Sequence, residues 1–205
     1  MSKSRVAITG FRPFPGVPTN PSATLIDSLR GDTAWAQQHS IQPIFHLLDT
    51  VYADLDCTVG KLFADEPAAL ILTGYSRIAT GLKLETGATS VCSPVYADAS
   101  GFTPPKCRDP ASVQANRSID FPVLVDRLRR ADIPAYLSDD AGAYVCNRSY
   151  WLALDRVARA GLSTHVLFLH LPAIAGMEDG PVGGAGAMEL ATMQRGLGIV
   201  AQALA

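Results

Sequence analysis

The chain has 205 residues, 48% of them hydrophobic and 18% charged, a balance that excludes a disordered chain and suits one domain, residues 1–205, with a full core. The formal net charge is −2 with no basic block, so neither nucleic acid nor an anionic membrane is expected as a partner. No apolar run approaches the roughly 20 residues that span a bilayer, and Met1-Ser2-Lys3-Ser4-Arg5 leads into a strand-like run without a signal-peptide core or cleavage site, which predicts a cytoplasmic protein.

In chain order, Arg5 to Thr9 is a short β-rich run that stops at Gly10, followed by the Pro-rich Phe11 to Gly16. Asn20-Pro21 is a helix start, with Asn as N-cap and Pro at the first helical position. Ala23, Leu25, Ile26 and Leu29 continue at helical spacing until Gly31. Ile41 to Leu48 reads as a strand, Ala53 to Phe63 as a helix, and Ala69 to Gly74 as a buried strand. Leu82 to Val91 is β-leaning. Ser93 to Asn116, rich in Pro, Ser, Asp and Ala, reads as a long irregular connection. Phe121 to Arg130 is a helix, Ala135 to Leu137 a strand, Cys146 to Ala160 a helix closed by Gly161, and His165 to His170 a strand. A Pro/Gly-rich loop, Leu171 to Gly186, precedes a C-terminal helix over Ala187 to Leu204.

Strands and helices thus alternate. That pattern predicts an α/β fold, a three-layer α/β/α sandwich with a mostly parallel sheet. In such sheets sites form beyond the carboxyl ends of the strands. The segments after Thr9, after Gly74, around Cys146 and after His170 are therefore expected along one edge.

Four cysteines, Cys57, Cys92, Cys107 and Cys146, lack C-x-x-C spacing, which argues against a zinc ribbon or a disulfide framework. Cys146 stands where a strand turns into a helix. The positive helix end and free backbone N–H groups there favour thiolate, which makes it a candidate nucleophile; a small buried core cysteine is the plainer alternative. A cysteine nucleophile needs a base. Among His39, His46, His165 and His170, His39 reads as exposed, His46 as half-buried within a strand, and His165 as a strand start. Only His170 falls at the functional edge, where a capped surface histidine is the competing reading. Glu85 could orient a base, although spacing alone favours a solvent face for it. Phe11 and Phe14 suit a pocket wall. Gly183-Gly184-Ala185-Gly186 and Thr9 to Gly16 lack the context of a phosphate loop.

These pieces, in order, resemble the pyroglutamyl peptidase I family. Thr9-Gly10-Phe11-Arg12-Pro13-Phe14 and Asn20-Pro21-Ser22 are similar to its T-G-F-x-P-F and N-P-S. Ala141-Gly142-Ala143-Tyr144-Val145-Cys146-Asn147 is similar to its A-G-T-[FY]-V-C-N, and Leu169-His170-Leu171-Pro172 to its I-H-[VI]-P. Glu85 falls where the family's catalytic Glu falls. The resemblance implies a cysteine peptidase that removes N-terminal pyroglutamyl residues from peptides, with Cys146 as nucleophile, His170 as base and Glu85 orienting it. It also implies substrate contacts from Phe11, Phe14, Tyr144 and Asn20. No metal or organic cofactor is implied, and a homo-oligomer, dimer or tetramer, is left open.

The chain departs from the family at four places. Gly74-Tyr75-Ser76-Arg77-Ile78-Ala79 replaces a Gly-rich G-Q-A-G-G-R, Glu85-Thr86-Gly87-Ala88-Thr89-Ser90 replaces E-R-V-A-x-N, and Val95 stands where an oxyanion-supporting Arg is usual. Asp139-Asp140 replaces Asn-Thr and would oppose thiolate formation. Slow cleavage is expected unless Arg77 or Lys83 supplies the missing cation. Two alternatives remain: a weak or inactive relative that binds a small lactam or acylated N-terminus, and a phosphorylase or nucleosidase in which the Cys–Asn turn would have no role.

Overall fold

The structure is a computed structural model that describes residues 3–105, 112–177 and 186–205. Cys107 and Gly183-Gly184-Ala185 lie outside the described residues. The elements are β1 (Ser4–Phe11), α1 (Pro21–Leu29), α2 (Thr33–Gln38), β2 (Ile41–Leu48), α3 (Leu55–Lys61), β3 (Ala69–Tyr75), β4 (Leu82–Glu85), β5 (Gly87–Thr89), β6 (Val113–Ala115), α4 (Phe121–Arg130), β7 (Ala135–Ser138), α5 (Val145–Ala160), β8 (His165–Leu171), β9 (Ala173–Ile174), β10 (Ala187–Met188) and α6 (Leu190–Leu204).

Local chemistry accounts for most boundaries. Asn20 caps α1 by accepting from Ser22 N–H at 3.1 Å, with Pro21 in the first turn. Gly161, at φ 62°, closes α5. The helix α2 was not expected. Gly31 ends one helix, and Asp32 then starts another by accepting from Trp35 N–H at 2.9 Å. The β-leaning run Leu82 to Val91 is broken into two strands at Thr86, whose N–H donates to the Ser138 carbonyl and whose carbonyl accepts from Asn116 N–H. Its second half pairs with β6 in a small separate sheet, so strand structure lies inside what reads as an irregular connection.

The main sheet has the order β2-β1-β3-β8-β4-β7. Alternation along its strands feeds two cores. One face carries Val6, Ile8, Ile71, Leu82, Leu84, Leu167 and Leu169 against α1, α2, α4 and α6. The other carries Ala7, Leu70, Leu72, Val166 and Phe168 against α3 and α5. This is the expected three-layer sandwich. Among the described residues, no helix is long and apolar enough to cross a membrane.

The segments after β1 and β3 and the Cys146 turn do meet, as expected, but the direction of β7 is not what brings Cys146 there. β2, β1, β3 and β8 run one way, but β4 is antiparallel to β8 and parallel to β7. The carboxyl ends of β4 and β7 therefore face the opposite way from those of β3 and β8. Residues 139–144 carry the chain from β7 back to α5 and Cys146. The site forms over the α5 face of the sheet, near the carboxyl ends of β3 and β8.

Candidate active site

On β4, Leu82 and Leu84 enter one core, so Lys83 and Glu85 project from the other face, under α5. The antiparallel register sets Lys83 opposite His170 and Glu85 opposite Phe168. His170 Nδ1 lies 2.7 Å from Glu85 Oε1. A carboxylate only accepts, so Nδ1 carries a proton, and in the neutral ring Nε2 is the acceptor. Glu85 has no solvent exposure, and His170 is 6% exposed. Lys83 Nζ lies 3.1 Å from the same Oε1 and donates to the Asp140 carbonyl at 2.8 Å. Among the described residues, Glu85 Oε2 has no hydrogen-bond partner. The backbone of Glu85 is also fixed: the Tyr150 hydroxyl donates to its carbonyl at 2.9 Å, and Asn116 Nδ2 donates to that hydroxyl at 3.0 Å.

Cys146 is the second residue of α5. Its N-cap, Tyr144, is extended and makes no side-chain cap bond, so first-turn N–H groups remain unused by the helix. Asn147 anchors the turn: its side chain accepts from Thr89 N–H at 2.9 Å and donates to the carbonyls of Thr89 and Val91 at 2.8 and 3.0 Å. Gly74, the register partner of His170, gives the thiol its room. A Cβ built on Gly74 would stand 2.9 Å from Cys146 Sγ and 2.9 Å from Phe168 Cζ. The sulfur thus lies over the stretch of β3 that borders His170.

The thiol does not match the expectation of a stabilised thiolate. Burial, and then the Glu85 charge, push the Cys146 thiol up to about 12, and its backbone hydrogen bond offsets only part of this. Asp140 uses its carboxylate on the Gly142 N–H, at 2.8 Å, in the exposed connection.

Cys146 opens into a cavity of about 500 Å³. Phe11, Phe14, Asn20 and Tyr144 line it, together with Thr50 and Tyr75. The sequence reading thus has four of its proposed contacts in one wall. Asn20 lines the cavity and is also the expected cap of α1. Its Oδ1 accepts from Ser22 N–H and Oγ, and its Nδ2 donates to the Arg12 carbonyl at 3.4 Å. It holds the loop that carries the two phenylalanines. Phe14 and Tyr144 lie 6.2 Å apart, and Tyr144 meets Tyr52 edge-on at 6.0 Å. Tyr144 also donates to the Ala97 carbonyl at 2.9 Å. Thr50, 4% exposed with an unpartnered hydroxyl, was missed. It follows a strand, and that position is the only sequence signal it carried.

At the cavity mouth, Val95 is 73% exposed. Arg77 lines the same mouth and donates to the Gly16 carbonyl. Lys83 is engaged by Glu85 instead. The other histidines lie elsewhere. His46 is half-buried in β2, and His165 begins β8. His39 is buried rather than exposed, because its ring packs on Trp35 and against Gly198 of α6. Among the described residues, no group of three or more His, Cys, Asp or Glu could hold a metal ion.

The family model for pyroglutamyl peptidase, Peptidase C15, matches residues 4–205. The chain belongs to that family of cysteine peptidases. A pyrrolidone-carboxylate peptidase of Thermococcus onnurineus is 31% identical over 173 residues, covering 83% of this chain and 84% of its own. One from Mycobacterium tuberculosis is 29% identical over 176 residues, covering 83% and 78%. Among solved structures, Bacillus amyloliquefaciens pyroglutamyl peptidase I superposes with a TM-score of 0.82 at 23% identity, covering 98% of this chain and 97% of that one. A mutant pyrrolidone carboxyl peptidase from Pyrococcus furiosus gives 0.82 at 22%, covering 98% of each. These likenesses agree with the layered fold.

Proposed function

We propose that the protein hydrolyses the amide bond after an N-terminal pyroglutamyl residue, with Cys146 as nucleophile, His170 as general base and acid, and Glu85 as the group that orients His170. The observation that carries this reading is the buried Glu85–His170 pair, 2.7 Å apart, beside a thiol that opens into an aromatic-walled cavity. The names of the relatives point the same way.

A neutral thiol suits this mechanism. His170 Nε2 removes the thiol proton as sulfur attacks the carbonyl, and Glu85 stabilises the imidazolium that forms. First-turn N–H groups of α5 receive the developing oxyanion. Collapse breaks the C–N bond, and His170 returns its proton to the departing amine. Water then attacks the thioester with His170 again as base, which releases the lactam acid and the thiol. Phe11, Phe14 and Tyr144 form the flat apolar wall for the lactam ring, and Thr50 offers it a hydroxyl.

The test is release of a fluorescent amine from its pyroglutamyl amide. Hydrolysis that is lost in Cys146→Ala and in His170→Ala, but kept in His165→Ala, supports the assignment. Retention of activity in Cys146→Ala overturns it. Saturable lactam binding without turnover would favour a binding protein.

A further inference from the structure

We infer that Lys83 is a positioning residue that shares the Glu85 carboxylate with His170, and so sets the pH window in which the Cys146–His170 pair works. The inference rests on the peptidase reading for its consequence, but its geometry stands independently.

The two oxygens of the Glu85 carboxylate are used unequally. One oxygen of the buried carboxylate takes both nitrogen partners, His170 Nδ1 at 2.7 Å and Lys83 Nζ at 3.1 Å, while Oε2 takes none among the described residues. Lys83 is itself largely enclosed, at 15% side-chain exposure, so solvent screens this pair less than a surface pair. The strand register enforces the arrangement: Lys83 and Glu85 share a face of β4, and Lys83 pairs with His170 on β8. Among the described residues, the other titratable groups near the carboxylate come from α5 and β7. Cys146 and Tyr150 approach from α5, and the Glu85 charge acts on both. On the far side of β4, Tyr136 of β7 is the register partner of Lys83. Lys83 is the fixed cation of this group.

A carboxylate paired with His170 alone would hold the imidazolium more firmly and oppose the thiolate more strongly. A lysine on the same oxygen offsets part of that charge and weakens both effects. Lys83 also donates to the Asp140 carbonyl, which ties the sheet to the turn that delivers Cys146. Lys83 does not line the cavity, so its influence runs through Glu85 and not through substrate contact.

The test uses Lys83→Gln, which can still donate to Asp140, and Lys83→Arg, which keeps the charge. Two readouts are taken against pH: kcat/KM on a pyroglutamyl amide, and the rate of Cys146 carbamidomethylation by iodoacetamide, resolved by peptide mass. Loss of the cation should move both limbs of the kcat/KM profile, and the alkylation curve, upward by about one pH unit. KM should stay within about twofold, and Lys83→Arg should overlay the wild type. Should the Gln variant fail to fold, Lys83→Met gives the same reading. Curves that coincide with the wild type, or move downward, overturn the inference. Displaced alkylation curves without hydrolysis in any variant would uphold Lys83 and refute the peptidase reading instead.

Discussion

Glu85 Oε1 stands 2.7 Å from the Nδ1 of His170, 85 positions later in the chain, with no exposure of the carboxylate to solvent. The contact fixes the tautomer, so its loss should act on turnover and not on binding. Glu85→Gln should lower kcat by about 10³- to 10⁴-fold with little change in KM. Steady-state kinetics on a pyroglutamyl amide decide this; a loss confined to KM would contradict it.

Gly74 leaves the space that Cys146 Sγ and Phe168 occupy. Gly74→Ala should destabilise the fold by about 1–3 kcal/mol, because an added methyl must displace close-packed atoms. It should also cut turnover more than tenfold by moving the sulfur. Thermal unfolding and kinetics together test this, and a variant with unchanged turnover would count against the close approach.

The Cys146 thiol moves from 9.0 to about 12 on folding, through burial and the Glu85 charge. Its folded value is the raised one, so the folded state keeps a proton that the unfolded chain gives up. The contribution to stability is complete below pH 9 and is lost as pH rises towards 12. The stability difference between wild type and Cys146→Ala should therefore be level below pH 9 and shift against the wild type above it. Denaturant titrations at several pH values measure this. A flat difference across that range would show that the thiol is not held neutral.

Asp98, 5% exposed, fixes the segment that carries Val95, Tyr96 and Ala97. Burial pushes its carboxyl up, but hydrogen bonds from Ser100 and from the N–H groups of Tyr52 and Phe102 outweigh this and leave it low. Its stabilising effect is present above the ordinary carboxylate range and fades as pH falls through its lowered value. Asp98→Ala should cost about 1–3 kcal/mol and should raise KM more than it lowers kcat. Chemical denaturation and initial rates would reveal the opposite split if the segment does not touch substrate.

Among the described lining residues, Arg77 is the charged one, and it is tied to the Gly16 carbonyl. Arg77→Ala should reduce kcat/KM, and Val95→Arg should raise it, by up to about 100-fold if the family's missing donor is restored. No response to either change would mean that the first turn of α5 suffices for the oxyanion.

The sequence carried what periodicity and caps encode. Asn20-Pro21 placed α1, Gly161 ended α5, and the turn around Cys146 was specific enough to point to the family. What it lacked was direction and distance. Alternation in Leu82 to Glu85 marks a strand but cannot say that the strand runs against β8, so the burial of Glu85 beneath α5 was not legible. His39 looked exposed because the glycine that admits its ring, Gly198, lies far along the chain. The pull of a helix end on the Cys146 thiol was visible locally. The larger push from burial and from Glu85 depends on contacts made only in the folded sheet.

The position of β4 between β8 and β7 bears on how the protein acquires activity. The strand that holds Lys83 and Glu85 is four residues long and takes its neighbours from residues 135–138 and 165–171, so it cannot dock until most of the chain is in place. Closing such long loops is slow compared with forming helices. During refolding, helical signal should therefore return first and enzymatic competence last, with the final docking event switching on the hydrolase.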